Sequence, residues 1–235
     1  MRSRPGAESL SFLGRRYVLG EIFGSRTEPN EEDMREIASV VRSASGLADY
    51  TIVTFHAHES GSDRSQPADF LITFARAMID AGADVLVGHG PHVLRGVEIY
   101  KGKPIFYSLG DFMFQNETLL RLPQENYEPY DLGPDKHVTD FNNARYRNDT
   151  SGFPANPKIW EAVIAVPQWQ GNELISIELY PITLGHGKPR TVRGRPMFAD
   201  QDLSKKIIDD LQEASQQFGT EIKFIDGIGV VKVFR

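Results

Sequence analysis

Two short apolar runs constrain this chain more than anything else in it. Residues 50–55 read Tyr-Thr-Ile-Val-Thr-Phe, residues 85–87 read Val-Leu-Val, and a stretch with helical spacing lies between them. Runs this short, rich in β-branched and aromatic side chains, favour buried strands over helices. In the intervening stretch Pro67 stands where a helix can begin, and Phe70, Phe74, Ala77, Met78 and Ala81 form an apolar stripe ending at Gly82. Strand, helix and strand joined by short links make a βαβ unit, whose two strands run parallel. The expected fold class is therefore α/β, with α+β character in the flanking hairpins.

Both runs deliver histidines. The first leads into His56, Ala57, His58 and Glu59, and the second into Gly88, His89, Gly90, Pro91 and His92. A third strand-like run, 104–108, ends at Leu109, Gly110 and Asp111. Side chains just beyond the carboxyl ends of parallel strands converge on the crevice where α/β proteins bind ligands. Neighbouring strands lie about 4.8 Å apart, so imidazoles at adjacent ends can reach one ion. Gly88 and Gly90 permit the bends that aim His89, and Pro91 restricts the approach to His92. A candidate metal site thus comprises His56, His89 and His92, with Glu59 and Asp111 as carboxylates. Asp111 is placed either to orient a histidine or to touch the ion. Neutral imidazole suits Zn, Mn or Fe. Glu59 and Asp63 are loop acids that either join the site or simply face water, and His137 and His186, in polar segments, have the simpler reading of groups facing water. Arg95 is either a surface arginine or a partner for an anion.

The flanks follow the same logic. Residues 1–8 read as a loose end and 10–21 as a hairpin or edge strands. Asn30 caps a helix with Met34, Ile37 and Val41 on one face and a stop at Gly46. Residues 97–100 and 104–108 form a hairpin about Lys101, Gly102 and Lys103, and 160–166 and 174–179 another about Gly171 and Asn172. A helix over 200–217 buries Leu203, Ile207, Leu211 and Ala214 and ends at Gly219. Terminal strands are expected at 222–225 and 230–234. Residues 117–157 are polar and aperiodic, which marks an irregular insertion within a single domain spanning 1–235.

Composition removes several function classes. A formal net charge of −6 argues against non-specific nucleic-acid binding. No apolar run approaches the roughly 18 residues of a membrane helix, and the N-terminus has no signal-peptide core. That default points to the cytoplasm. With no cysteine, disulfides, thiolate metal sites and cysteine nucleophiles are all excluded. A two-metal hydrolase also needs a bridging carboxylate and further oxygen ligands to hold ions about 3.5–4 Å apart. The chain offers neither an Asp-x-His pair nor a Gly-Asn-His/Asp turn, so by itself it reads as half of such a site.

Residues 80–110, Asp-Ala-Gly-Ala-Asp-Val-Leu-Val-Gly-His-Gly-Pro-His-Val-Leu-Arg-Gly-Val-Glu-Ile-Tyr-Lys-Gly-Lys-Pro-Ile-Phe-Tyr-Ser-Leu-Gly, resemble the signature of the CapA family. Residues 55–59, the Arg-Gly-Arg-Pro at 193–196, the Phe-Gly-Thr at 218–220 and the Asp-Gly-Ile-Gly at 226–229 add to the likeness, which runs from about residue 10 to 233. The family is associated with capsule and poly-γ-glutamate synthesis and belongs to the calcineurin-like metallophosphoesterases. The resemblance implies a β-sandwich flanked by helices, incomplete at the N-terminus, with a dinuclear centre at the strand ends. His56 would match the isolated histidine ligand, and His89 with His92 the paired one, one residue further apart than in many phosphoesterases. The family's Asp and Asn ligands belong to an N-terminal half, so this chain is expected to be the C-terminal portion. Asp111 departs from the family's usual Asn. The implied activity is metal-dependent hydrolysis of a phosphoryl or acyl group on an anionic polymer, with His58 or His92 protonating the leaving group. Membrane-bound capsule synthase components are the implied partners, and relatives often carry an export or anchor segment. The rival expectations are a non-catalytic accessory factor and a truncated, inactive fragment.

Overall fold

The computed structural model describes residues 9–13, 15–21, 24 and 27–233. The expected loose end at 1–8, and the last residue of the expected strand 230–234, lie outside them. Two strands, β1 (Ser9–Phe12) and β2 (Arg15–Val18), pair antiparallel as the expected hairpin. Helix α1 (Glu31–Ser45) starts at Asn30, whose side chain accepts hydrogen bonds from the amides of Glu32 and Asp33. Three acids crowd its first turn, where the positive end of the helix dipole favours them, and Gly46 closes it.

The βαβ unit forms as its spacing predicts. Strand β3 (Ile52–His56), helix α2 (Asp69–Asp80) and strand β4 (Val85–His89) follow in order, and β3 and β4 run parallel. A hairpin of β5 (Leu94–Tyr100) and β6 (Lys103–Leu109) extends them into a sheet of order β3-β4-β6-β5. Strands β7 (Glu161–Gln170), β8 (Glu173–Thr183), β9 (Met197–Phe198), β10 (Lys223–Ile225) and β11 (Ile228–Lys232) build a second, antiparallel sheet. Helix α4 (Gln201–Ser215) is capped by Asp200 and terminates just before Gly219, which takes a left-handed conformation.

Alternation along the strands sorts the core into layers. Val97 and Phe106 of the first sheet meet Val163, Ile177 and Leu179 of the second, with Ile207, Ile208 and Leu211 of α4 joining them. The opposite face of the first sheet, through Leu86, Ile105 and Tyr107, packs on Ala75 and Met78 of α2 and Val41 of α1. The result is two sheets face to face, with α1 and α2 on the outer face of the first sheet and α4 packed into the core the sheets share.

Three expectations are corrected. The run at 50–55 is not a buried strand: β3 is an edge with one strand neighbour, and Ile52 is 62 % exposed. Full burial of a parallel strand needs cover on both sides, which no local pattern reports. Helix α2 also buries Leu71, Ala75 and Ile79, so its core face is wider than the expected stripe, of which Met78 and Ala81 are buried, Phe74 and Ala77 pack half-buried on the same core, and Phe70 lines a cleft against α1. Finally, 117–157 carries a helix, α3 (Val138–Tyr146), with Val138, Phe141 and Tyr146 buried, flanked by short 3-10 turns.

Candidate functional site

The carboxyl ends of β3, β4 and β6 open on the same side of the first sheet, and the backbone there is shaped by glycine. At Gly88 a Cβ would come within 2.4 Å of the Tyr107 carbonyl oxygen. At Gly90, where φ is +113°, it would come within 2.8 Å of the Ala57 oxygen, so only glycine lets the two histidine-bearing segments approach this closely. The Ala57 amide donates to the His89 carbonyl at 2.9 Å, tying the segments together. His92 itself has φ of +59°, a left-handed conformation costly for a side chain with Cβ, and such residues cluster where geometry serves function.

Three imidazoles line up at this end. His56 Nε2 lies 3.3 Å from His58 Nε2. The His58 ring centroid lies 5.5 Å from that of His92. The Nδ1–H of His92 donates to Asp111, with 3.0 Å and 3.2 Å to its two carboxylate oxygens. Asp111 therefore orients His92, the arrangement in which a carboxylate fixes the tautomer and leaves Nε2 as the ring nitrogen without the proton. His56 and His89 are Cα partners in the parallel register, and His89 is exposed beside the cluster. Glu59 and Asp63 are exposed in the loop that follows, where Asp63 accepts from the Ser65 amide and hydroxyl; those two bonds hold its carboxyl below the usual range.

Sequence reasoning linked His56 with His89; the ring nearest to His56 in the contacts formed is that of His58. Two imidazole nitrogens on one tetrahedral ion at about 2.0–2.1 Å would stand roughly 3.3–3.4 Å apart, which is the spacing of His56 and His58. The spacing of His56 and His58 thus fits two ligands of a borderline divalent cation. Among the described residues, no three histidine, aspartate or glutamate side chains are gathered tightly enough to hold one ion without movement.

Three aromatic residues at this site gave no signal in the sequence. His92 packs at 4.9 Å between centroids on Phe153, which comes from the segment read as an insertion, and at 6.2 Å on Phe114. Phe114 and Phe153 meet edge to face, and the Trp160 indole N–H donates to the Phe153 carbonyl at 3.0 Å. The Phe114 amide donates to the Gly194 carbonyl, and a Cβ on Gly194 would strike the Phe114 oxygen at 2.1 Å, so residues 193–196 brace this wall. Arg193 is 5 % exposed and bridges Glu117 (2.6 Å) and Asp149 (2.9 Å), and Arg190 pairs with Asp149 at 2.7 Å. Arg190 and Arg193 hold the Asp149 carboxyl below the usual aspartate range.

Arg95 lies beneath the loops, wholly buried. Its Nε–H donates to the Arg64 carbonyl, which anchors the loop after β3, while its two terminal nitrogens have no protein partner. Burial, with Arg64 nearby, lowers its pKa to about 10. It is not the surface arginine that its sequence position allowed. His137 begins α3, its amide donating to Asp140, and takes no part in the site.

An α/β sandwich with a histidine–carboxylate centre at the ends of its parallel strands is the class that fold and site define. Residues 14–116, which contain the whole centre, match the family model described as bacterial capsule synthesis protein PGA_cap. An uncharacterized protein of Sinorhizobium fredii, y4sH, is 40% identical over 237 residues, covering 96% of this chain and 50% of that protein. The capsule biosynthesis protein CapA of Bacillus anthracis is 41% identical over 104 residues, 42% of this chain and 25% of that protein. The PGA biosynthesis protein CapA of Bacillus subtilis is 51% identical over 63 residues, 27% of this chain and 17% of that protein. Over residues 14–116 the chain is similar to the CapA family, and its mixed helices and sheets are consistent with a metallophosphoesterase-like fold. It spans about half the length of its Sinorhizobium relatives and a quarter or less of the two Bacillus proteins. No helix among the described residues is long and apolar enough to cross a membrane.

Proposed function

We propose that this chain contributes a divalent-metal-binding, hydrolytic centre to capsule or poly-γ-glutamate production. The observation that carries this reading is the row of His56, His58 and His92 ending on Asp111, at the carboxyl ends of parallel strands. His56 and His58 would hold the cation, with His89 beside them and Glu59 near enough in sequence to join from its loop. A bound Mn, Fe or Zn ion would supply Lewis acidity toward a phosphoryl or acyl oxygen and toward water. His92, its Nδ1–H given to Asp111, keeps Nε2 for holding or donating a proton to a leaving group. Phe114 and Phe153 exclude water from one side of that ring.

The test is metal analysis of the purified, tag-free protein. Mn, Fe or Zn should be retained near stoichiometry and fall at least tenfold in a His56→Ala, His58→Ala double variant; equal metal in both sinks the reading. A second reading is that of a non-catalytic accessory factor binding the polymer or a membrane synthase. The relative from Mycobacterium tuberculosis, 36% identical over 93 residues, is named a probable polyglutamine synthesis accessory protein, which favours it. Hydrolysis of a phosphodiester or of poly-γ-glutamate that disappears in His56→Ala excludes this alternative.

A further inference from the structure

A concavity lies beside the segment that carries Phe153. It has a volume of about 400 Å³ and is lined by Asp149, Pro154, His186, Lys188 and Arg193. That volume falls within the roughly 300–1,000 Å³ typical of small-ligand sites. Buried Arg193 forms its floor, while exposed His186 and Lys188 stand at its rim. Pro154 directly follows Phe153, the ring against His92, so adjacent residues of one segment join this cleft to the histidine row.

The charges here oppose those of the molecule. The whole chain carries a net −6, yet Lys188, Arg190 and Arg193 against Asp149 and Glu117 leave one net positive charge at this cleft (three cations, two anions). Of the five N–H groups of a guanidinium, Arg193 uses three on Glu117 and Asp149. With Arg193 so committed, the exposed Lys188 ammonium and the single net positive charge suit a carboxylate, whose single charge the cleft balances. A dianionic phosphoryl group would be left overcharged beside Asp149. Trp160 lies under the Arg193 guanidinium at 5.2 Å, which holds it flat and makes the indole a reporter of the cleft.

We propose that this cleft is a carboxylate subsite that grips one repeat of a glutamyl polymer while a neighbouring repeat lies at the histidine row. The proposal rests on the functional reading above and deepens it by naming where the polymer's side carboxylates are recognised. Local positive charge in an acidic protein also predicts a salt-sensitive association.

Calorimetric titration of the intact chain with γ-linked tetraglutamate tests it, alongside Trp160 emission in a Trp169→Phe background. Tetraglutamate should bind and shift the Trp160 signal, Lys188→Glu should weaken binding about tenfold, and 0.5 M NaCl should weaken it in the same direction. Affinity in Lys188→Glu within twofold of the parent, or inorganic phosphate displacing tetraglutamate at lower concentration than acetate does, overturns the subsite. The two proposals fail separately. Lys188-dependent tetraglutamate binding in a protein that retains no metal refutes the metal centre and leaves the subsite standing, and metal retention without such binding does the reverse.

Discussion

At the scale of single residues, the most telling side chains are those placed against their own preferences. His92 sits in left-handed backbone with one ring nitrogen on Asp111. Arg95 is a full charge in the interior with one hydrogen bond to show for it. An unsatisfied buried polar group costs about 1–3 kcal/mol, more when charged. Arg95→Met keeps an unbranched stem of similar length and removes that cost. It should therefore raise stability by roughly 1–2 kcal/mol in urea unfolding, offset in part by the lost bond to Arg64. A loss of stability would mean that the guanidinium has an unseen buried partner. The position of Asp111 past a strand end marked it as a partner for a histidine or an ion, without saying which. The outward burial of Arg95 was not foreseeable, because a strand's alternation says which face a residue takes and not what lies above that face.

At the scale of elements, β3 is the weak point. It is the outer strand of its sheet, its pattern alternates exposed with half-buried, and Leu47, Tyr50 and Ile52 are exposed beside it. An open edge with apolar side chains is a template for pairing with another strand. Ile52→Lys should lower self-association of the isolated chain at high concentration, measured by light scattering, with little change in thermal stability. Unchanged association would place the sticky surface elsewhere. The same strand carries the sharpest contrast between pattern and outcome. Its β-branched content correctly identified it as a strand. That content could not tell a central strand from an edge strand, because the difference lies in what packs beside it.

For the whole molecule, the segment 117–157 is joined to the sandwich by charge as well as by α3. Arg193 reaches Glu117 across 76 residues and Asp149 across 44. Asp149, with its folded-state pKa depressed, contributes stability that is complete above the usual aspartate value of about 3.9 and is lost as pH falls through its lower folded value. Asp149→Asn should consequently be less stable than the parent at pH 6, and the gap should close by pH 2–3 in denaturant titrations. A gap of constant size would show that the carboxylate charge contributes nothing. Because Phe153 belongs to the same segment, loosening this network should also disturb the wall beside His92.

What the sequence determined by itself was the βαβ order, the parallel sense of β3 and β4, the hairpins and capped helices, and the delivery of His56, His58, His89 and His92 to one end of the sheet. Those features follow from periods of two and 3.6 residues and from turn chemistry, all of which act over a few positions. Tertiary structure alone decided that His58 is the ring against His56, that Asp111 serves His92, and that Phe153 and Arg193 close in from distant segments. Such meetings depend on how two sheets and a 3-10-rich segment pack, and side-chain contacts between positions dozens of residues apart leave no periodic trace along the chain.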